Sequence, residues 1–274
     1  GSATNAKDLL ETLPPHSERG RVASLVRFWH NLSPPSAPMS ISRFTSQDRD
    51  PQASGQDSAR KVHVVTFGCQ MNKYDSLLAE GRFRREGYAI TADMQDADVV
   101  LFNTCSVREH AEDRTWSWVG ELKRAKEARP DLVVGVMGCM AQKDQRLIFE
   151  RAPFVDLVVG PGQLQRIPEL LREIAAGAGQ QMAVSLGRRE GSADEIRRSH
   201  ETFDPLRDPA MRPTPFQAFL RIQIGCDKFC TYCVVPMTRG PEQGRPPAEI
   251  VAEARTLADQ GCVEITLLGQ TVNS

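Results

Sequence analysis

Four short runs of almost wholly apolar residues, each followed by helical patterning, constrain this chain more than any other feature. They are Val62-His-Val-Val-Thr-Phe67, Val99-Val-Leu-Phe102, Leu132-Val-Val-Gly-Val-Met137 and Leu157-Val-Val159. Helical spacing covers 76–85, 107–128, 142–151 and 164–175, and a further short strand fits 88–91. A strand that is apolar on both faces needs cover on both faces, and helices that cross over between parallel neighbours provide it. Residues 61–176 are therefore expected to form an α/β domain, a doubly wound parallel sheet.

Three cysteines occupy the same topological position in that pattern. Cys69, Cys105 and Cys139 each lie just past the carboxyl end of an expected strand and just before a helix. In a parallel sheet those ends share one edge, where ligands bind, so cysteines far apart in sequence meet there. Helix N-termini at that edge favour thiolates. One of them carries a capping-box pattern, Ser106 to Glu109. The bland alternative is three buried core cysteines, since unpaired cysteines are usually buried. Packing alone gives no reason to choose the same position three times.

A second cysteine set begins a different pattern. The strand Phe219 to Ile224 is followed by Cys226, Cys230 and Cys233 in a C-x3-C-x2-C loop, then a helix over 247–260 and a strand over 264–268. Strand, loop, helix and parallel strand make a βαβ unit, expected here as the first unit of a (β/α) barrel over residues 216–274. Three thiolates on one loop suit three irons of a four-iron cluster and leave the fourth open for chemistry. Two other classes use the same residues. A zinc module would recruit Cys262 as fourth ligand, although zinc ligands usually come in pairs such as C-x2-C. A thiol sulfur relay would use Cys69, Cys105 and Cys139 without iron. Cys262 by itself reads as structural, and the five histidines show no metal spacing.

Residues 1–60 are rich in Pro, Ser, Gln and Asp and read as a largely disordered extension, with one amphipathic helical stretch over 20–32. Residues 177–215 read as a linker, with an edge strand fitting 181–186. A net charge of -1 gives no global pull toward nucleic acid, so any such binding depends on local patches. The arginine groups at Arg82, Arg84 and Arg85, at Arg188 and Arg189, and at Arg197 and Arg198 read as solvated faces. Seven cysteines, an odd number spread along the chain, point to a reducing compartment rather than a disulfide scaffold. No stretch is apolar enough to span a bilayer, so the expected location is cytoplasmic, with no membrane partner. The opening Gly-Ser reads as a cloning scar or the start of a piece of a longer product, and the barrel as incomplete and inactive by itself.

The cysteine loop, with Tyr232 before its last cysteine, resembles the signature of radical S-adenosylmethionine enzymes. Preceded by a three-cysteine α/β domain, it is similar to the methylthiotransferase family. The runs Gly68-Cys-Gln-Met-Asn72, Asn103-Thr-Cys-Ser-Val-Arg-Glu109, Tyr232-Cys-Val-Val-Pro-Met-Thr-Arg-Gly240 and Leu267-Leu-Gly-Gln270 resemble its tRNA branch, which acts on isopentenylated adenosine beside the anticodon. Branches acting on threonylcarbamoyladenosine in tRNA or on a ribosomal-protein aspartate are the alternatives. The resemblance covers residues 61–274.

The resemblance implies two 4Fe–4S clusters. Cys226, Cys230 and Cys233 would hold the one that binds and cleaves S-adenosyl-L-methionine to methionine and a 5′-deoxyadenosyl radical. That radical would take hydrogen from C2 of the adenine, a carbon no side-chain acid or base activates. Cys69, Cys105 and Cys139 would hold an auxiliary cluster carrying the sulfur, and a second S-adenosyl-L-methionine would supply the methyl group. Tyr232, Gly269 and Gln270 would lie near the cofactor. Arg239 would meet a phosphate or a carboxylate, and Trp116 and Trp118 would pack rather than stack on RNA. The implied partners are the tRNA anticodon loop and an electron donor such as flavodoxin or ferredoxin, with the protein a monomer.

Overall fold

A computed structural model of the chain describes residues 59–106, 109–184, 212 and 214–271. The amphipathic stretch 20–32, most of the expected linker and the arginine pairs at 188–189 and 197–198 lie outside the described residues. All described residues fall in one compact unit.

Six strands form one sheet: β1 (Lys61–Phe67), β2 (Ala89–Ile90), β3 (Val99–Thr104), β4 (Val133–Gly138), β5 (Leu157–Val159) and β6 (Gln181–Ala183). Every neighbouring pair is parallel and the order is β2-β1-β3-β4-β5-β6. The apolar strands are central and the short β2 and β6 are edges, as hydrophobic runs demand when both faces are covered. Helices α1 (Gln70–Arg85), α2 (Glu109–Ala128), α3 (Cys139–Asp144), α4 (Arg146–Arg151) and α5 (Ile167–Ala175), with a 3-10 turn at Pro161–Arg166, connect them. Val99 and Leu101 of β3 join Val133 and Met137 of β4 in a core with Phe83 of α1 and Ile167 and Leu171 of α5. The equally buried Val100, Phe102, Val134 and Val136 face the other side by the two-residue period of a strand, and α2 packs along β1, β3 and β4. This is the expected doubly wound α/β sheet.

The βαβ unit is present as well. Strand β7 (Gln217–Arg221) pairs in parallel with β10 (Glu264–Leu268), with Glu264 opposite Gln217. Helix α7 (Pro247–Asp259) lies between them in sequence and packs Leu257, Ile250 and Ala254 onto Ala218 and Leu220. Two short strands, β8 (Gln223–Ile224) and β9 (Gln243–Gly244), pair antiparallel on either side of the cysteine loop, which also carries the one-turn helix α6 (Val235–Thr238).

Several boundaries differ from the sequence expectation, each for a local reason. The first helix starts at Gln70, not at residue 76, because Met71 and Tyr74 pack against Phe219 and Leu268 of the βαβ unit rather than against their own sheet. The helix expected over 142–151 is two helices, broken at Gln145, whose φ of 47° no helix accommodates. The single strand expected over 219–224 is split at Ile222, where pairing changes from β10 to β9. The arginine-rich end of α1 is a solvated face, with Arg82 paired to Glu86 at 3.0 Å. Among the described residues, no helix is long and apolar enough to cross a membrane.

Candidate functional site

The strand order reverses between β1 and β3, and the crevice outside the carboxyl ends at such a reversal is the usual ligand position of this architecture. Cys69 follows β1 as the N-cap residue of α1, Cys105 follows β3, and Cys139 opens α3 directly after β4. The three cysteines therefore stand at adjacent strand ends, Cys105 and Cys139 buried and Cys69 half-buried. Two glycines make the approach possible. A Cβ on Gly68 would lie 3.0 Å from the Cβ of Cys105 and 2.6 Å from Asn72 Oδ1. Gly138 has φ 92°, and a Cβ there would lie 2.3 Å from Asn103 Oδ1.

Beneath the cysteines runs a buried polar network. Asn72 Nδ2 donates to Asn103 Oδ1 at 3.0 Å, and Asn103 Nδ2 donates to the Asn72 carbonyl at 2.8 Å and to Ser76 Oγ at 2.9 Å. Ser76 Oγ in turn meets Thr66 Oγ1 at 2.7 Å. Buried polar groups persist only when partnered, so this network fixes the first turn of α1 against the ends of β1 and β3. The protonated Cys69 thiol points at Asn72 Oδ1, 3.2 Å away. A hydrogen bond with Cys105 is the largest influence on that thiol. With the backbone N–H groups of Asn72 and Met71 and the charge of Arg239, it outweighs burial and lowers the pKa from 9.0 to about 5. At neutral pH Cys69 is then a thiolate, the form that binds metal and acts as a nucleophile.

The second cysteine set lies on the loop after β8. Gly225 has φ 77°, and a Cβ there would meet the Pro241 carbonyl oxygen, so the loop entry requires glycine. Cys226 N–H donates to the Gly240 carbonyl at 3.2 Å and Cys233 N–H to the Cys230 carbonyl at 2.9 Å, closing the loop on itself. Phe229, between the cysteines, takes φ 42° and is exposed. Tyr232 is 91% exposed and touches no core. Gln270 follows β10, and its N–H donates to Gln223 Oε1 at 2.8 Å. Gln223 Oε1 also accepts from Thr271 N–H at 3.1 Å, and its Nε2 donates to the Gly225 carbonyl at 2.9 Å. One glutamine side chain thus ties the Gly269–Gln270 turn to the entry of the cysteine loop.

The two cysteine sets are linked by Arg239, which is buried. Its Nε donates to Cys139 Sγ at 3.3 Å and its Nη2 forms an ion pair with Asp75 Oδ2 at 2.6 Å. Burial alone would lower the Arg239 pKa; Asp75 and Cys139 outweigh that and raise it. Of the two expected partners for Arg239 the carboxylate is the one found, together with a sulfur.

Cys262 belongs to neither set. It precedes β10, next to Phe216 at the start of β7, whereas the cysteine loop follows β8, beyond the other end of β7. Five residues of strand separate those ends by about 16 Å, so the zinc arrangement with Cys262 as fourth ligand does not form. Cys262 is buried and accepts a hydrogen bond from Arg212 Nη1 at 2.9 Å, a structural role. Trp116 packs under the Arg151 guanidinium, 4.0 Å from the ring centroid. The Ser106 hydroxyl makes no hydrogen bond among the described residues, so the capping box expected there is not formed among them.

Among the described residues, no three His, Cys, Asp or Glu side chains stand close enough together to hold one metal ion. A multi-iron cluster takes one thiolate per iron, so its cysteines need not crowd round a single point. All-sulfur donor sets at a glycine-lined edge and on a glycine-gated loop fit such clusters in chemistry.

Asn72, Ser76, Asp75, Asn103 and Gln223 carry site roles that patterning did not single out. The available signal was a polar residue inside an otherwise apolar strand, as at Asn103 and Gln223, because such a residue must find a partner.

Comparison with known proteins matches two regions of the chain. Residues 61–160 match a family model described as Uncharacterized protein family UPF0004, and residues 220–274 match the Radical SAM superfamily. A tRNA-2-methylthio-N(6)-dimethylallyladenosine synthase of Rhodopirellula baltica is 64% identical over 215 residues, 78% of this chain and 45% of the relative. Proteins of the same name from Bordetella petrii and Bacillus subtilis are 45% identical over 218 residues and 41% identical over 225. Those matches cover 79% and 81% of this chain and 43% and 42% of the relatives. The chain thus spans less than half the length of the curated relatives it matches. With a UPF0004 region ahead of a radical S-adenosylmethionine region, and relatives of one name matching across both, the chain belongs to the methylthiotransferase family of radical S-adenosylmethionine enzymes.

Proposed function

We propose that the chain carries both iron–sulfur sites of a tRNA methylthiotransferase, which inserts sulfur and a methyl group at C2 of N6-isopentenyladenosine next to the anticodon. The observation that carries the reading is the contact of Arg239, from the cysteine loop, with Cys139 at the sheet edge. Two three-cysteine sites joined by one side chain suit two centres that serve one substrate. Cys226, Cys230 and Cys233 would hold the radical-forming 4Fe–4S cluster, and Cys69, Cys105 and Cys139 the auxiliary one. When bound, these clusters and S-adenosyl-L-methionine supply one-electron chemistry at a carbon that acids and bases leave inert.

The chain's own residues shape and hold the site. Gly225 and Gly240, both at positive φ, turn the cysteine loop back on itself, and Gln223 holds the Gly269–Gln270 turn beside it. Tyr232, exposed on that loop, would cover a cofactor or a base. The proposed division is an α/β domain at 61–176 for the auxiliary cluster and a barrel start at 216–274 for the radical cluster. The partners would be the tRNA anticodon loop and an electron donor such as flavodoxin or ferredoxin, for a monomer in the cytoplasm.

Two measurements test this. Anaerobic reconstitution should give about eight irons per chain, falling to about four after Cys226, Cys230 and Cys233 become Ala. Bound zinc, or no iron, would remove the enzyme reading. Nucleoside mass spectrometry of tRNA from a host lacking its own enzyme, complemented with the full-length gene, should show the methylthio group on isopentenyladenosine. Methylthio on threonylcarbamoyladenosine instead would move the protein to the other tRNA branch.

A further inference from the structure

Arg239 belongs to the radical loop by sequence and to the other site by contact. Its own backbone is tied to the loop: Arg239 N–H donates to the Val235 carbonyl at 2.8 Å, and the next carbonyl, of Gly240, accepts from Cys226 N–H at 3.2 Å. Its side chain leaves that loop and enters the sheet edge, with 3% of its surface exposed. There Nε reaches Cys139 Sγ at 3.3 Å and Nη2 reaches Asp75, itself 2% exposed, at 2.6 Å. Nη1 is buried and makes no hydrogen bond among the described residues. Two neighbouring residues therefore connect the first cysteine of one set to the last cysteine of the other, through the Gly240 carbonyl and the Arg239 guanidinium.

A buried guanidinium beside a cysteine sulfur does two things. It is a fixed cation, since arginine does not lose its proton in proteins. It is also a directional donor to a ligand sulfur, and hydrogen bonds and charge at ligand sulfurs set the reduction potential of an iron–sulfur cluster. Asp75 neutralises much of the charge and holds the fork in place, which makes burial tolerable. Packing alone would be served by an apolar side chain here, without the cost of desolvating an ion pair.

We propose that Arg239 is a positioning residue of the auxiliary cluster: it donates to Cys139, raises that cluster's reduction potential, and sets it against the radical loop, with Asp75 tempering the charge. The inference rests on the reading of Cys69, Cys105 and Cys139 as ligands of that cluster. It goes beyond that reading in assigning the tuning of one site to a residue of the other.

The two residues act with opposite sign, and this makes the test sharp. The measurement is the midpoint potential from redox titration followed by electron paramagnetic resonance. It is made in the full-length protein with Cys226, Cys230 and Cys233 changed to Ala, where only the auxiliary cluster is held. Arg239→Gln should lower the potential and Asp75→Asn should raise it. In a second background, with Cys69, Cys105 and Cys139 changed to Ala, neither substitution should move the radical cluster. Shifts of the same sign, or no shift with iron retained, overturn the inference, because loosened packing would move both variants alike. Where Arg239→Gln loses the cluster, Arg239→Lys decides: iron kept by Lys supports the cationic donor, and iron lost from both overturns it. Absence of iron from the first background before any change at Arg239 would overturn the auxiliary-cluster reading and the inference with it. Iron present with an unmoved potential overturns the inference alone.

Discussion

At Cys69 the fold acts on a single proton. Its pKa is held at about 5, below the ordinary 9.0, chiefly by the hydrogen bond with Cys105. The folded state therefore favours the thiolate, and the stability this gives is present above pH 9.0 and lost as pH falls through about 5. In iron-free protein, alkylation of Cys69 followed by peptide mass spectrometry should be half-maximal near pH 5; a midpoint near that of an ordinary thiol would contradict the hydrogen-bonded arrangement. Gly225 is the corresponding case in backbone terms. A methyl group there would strike the Pro241 carbonyl oxygen, at a φ of 77° that a side chain already resists. Gly225→Ala should therefore open the cysteine loop and cut reconstituted iron from about eight to about four per chain, with the auxiliary cluster left in place. Iron content equal to that of the wild type would show that the loop closes without the glycine.

Element by element, the sheet was legible because its strands are apolar on both faces, and no other arrangement hides such runs. The shared edge of Cys69, Cys105 and Cys139 was legible for a related reason: strand ends in a parallel sheet are ordered by the fold, so a repeated cysteine after a strand marks one edge. What patterning missed are residues whose partners are distant in sequence. Asn103 is bonded to Asn72 and Ser76, and Arg239 reaches Asp75 and Cys139. No local period encodes such contacts. The start of α1 was missed for the same reason, since Met71 and Tyr74 answer to the βαβ unit and blur the helical period. Asn103 offers the test at this scale. Asn103→Ala strips the partner from the buried Asn72 Nδ2, while Ser76 Oγ keeps Thr66, and one unsatisfied buried group costs roughly 1–3 kcal/mol. Urea denaturation should show a loss in that range, whereas a change of a few tenths would mean that the network contributes little.

For the molecule as a whole, α1 is the shared wall. Its Ala79 and Phe83 belong to the sheet core, while Met71, Tyr74 and Leu78 form a separate core with Phe219 and Leu268. The Arg239–Asp75 ion pair runs along the same helix, since Asp75 lies between Tyr74 and Leu78 in sequence. The relative position of the two cysteine sets therefore depends on apolar burial at one seam, with the ion pair adding direction rather than net stability. Leu78 is 4% exposed in that seam, and Leu122 is 2% exposed on α2, against the sheet. Leu→Ala at either site should cost about 2–5 kcal/mol. The two losses should differ in where they are felt. Native-state hydrogen exchange should accelerate in β7 and β10 for Leu78→Ala, because the βαβ unit loses its contact with α1 before the sheet opens. For Leu122→Ala, acceleration should centre on α2 and the strands beneath it, with β7 and β10 changed only as far as global stability falls. The same exchange pattern from both variants would mean that the sheet and the βαβ unit open together, and that α1 is not the seam between them.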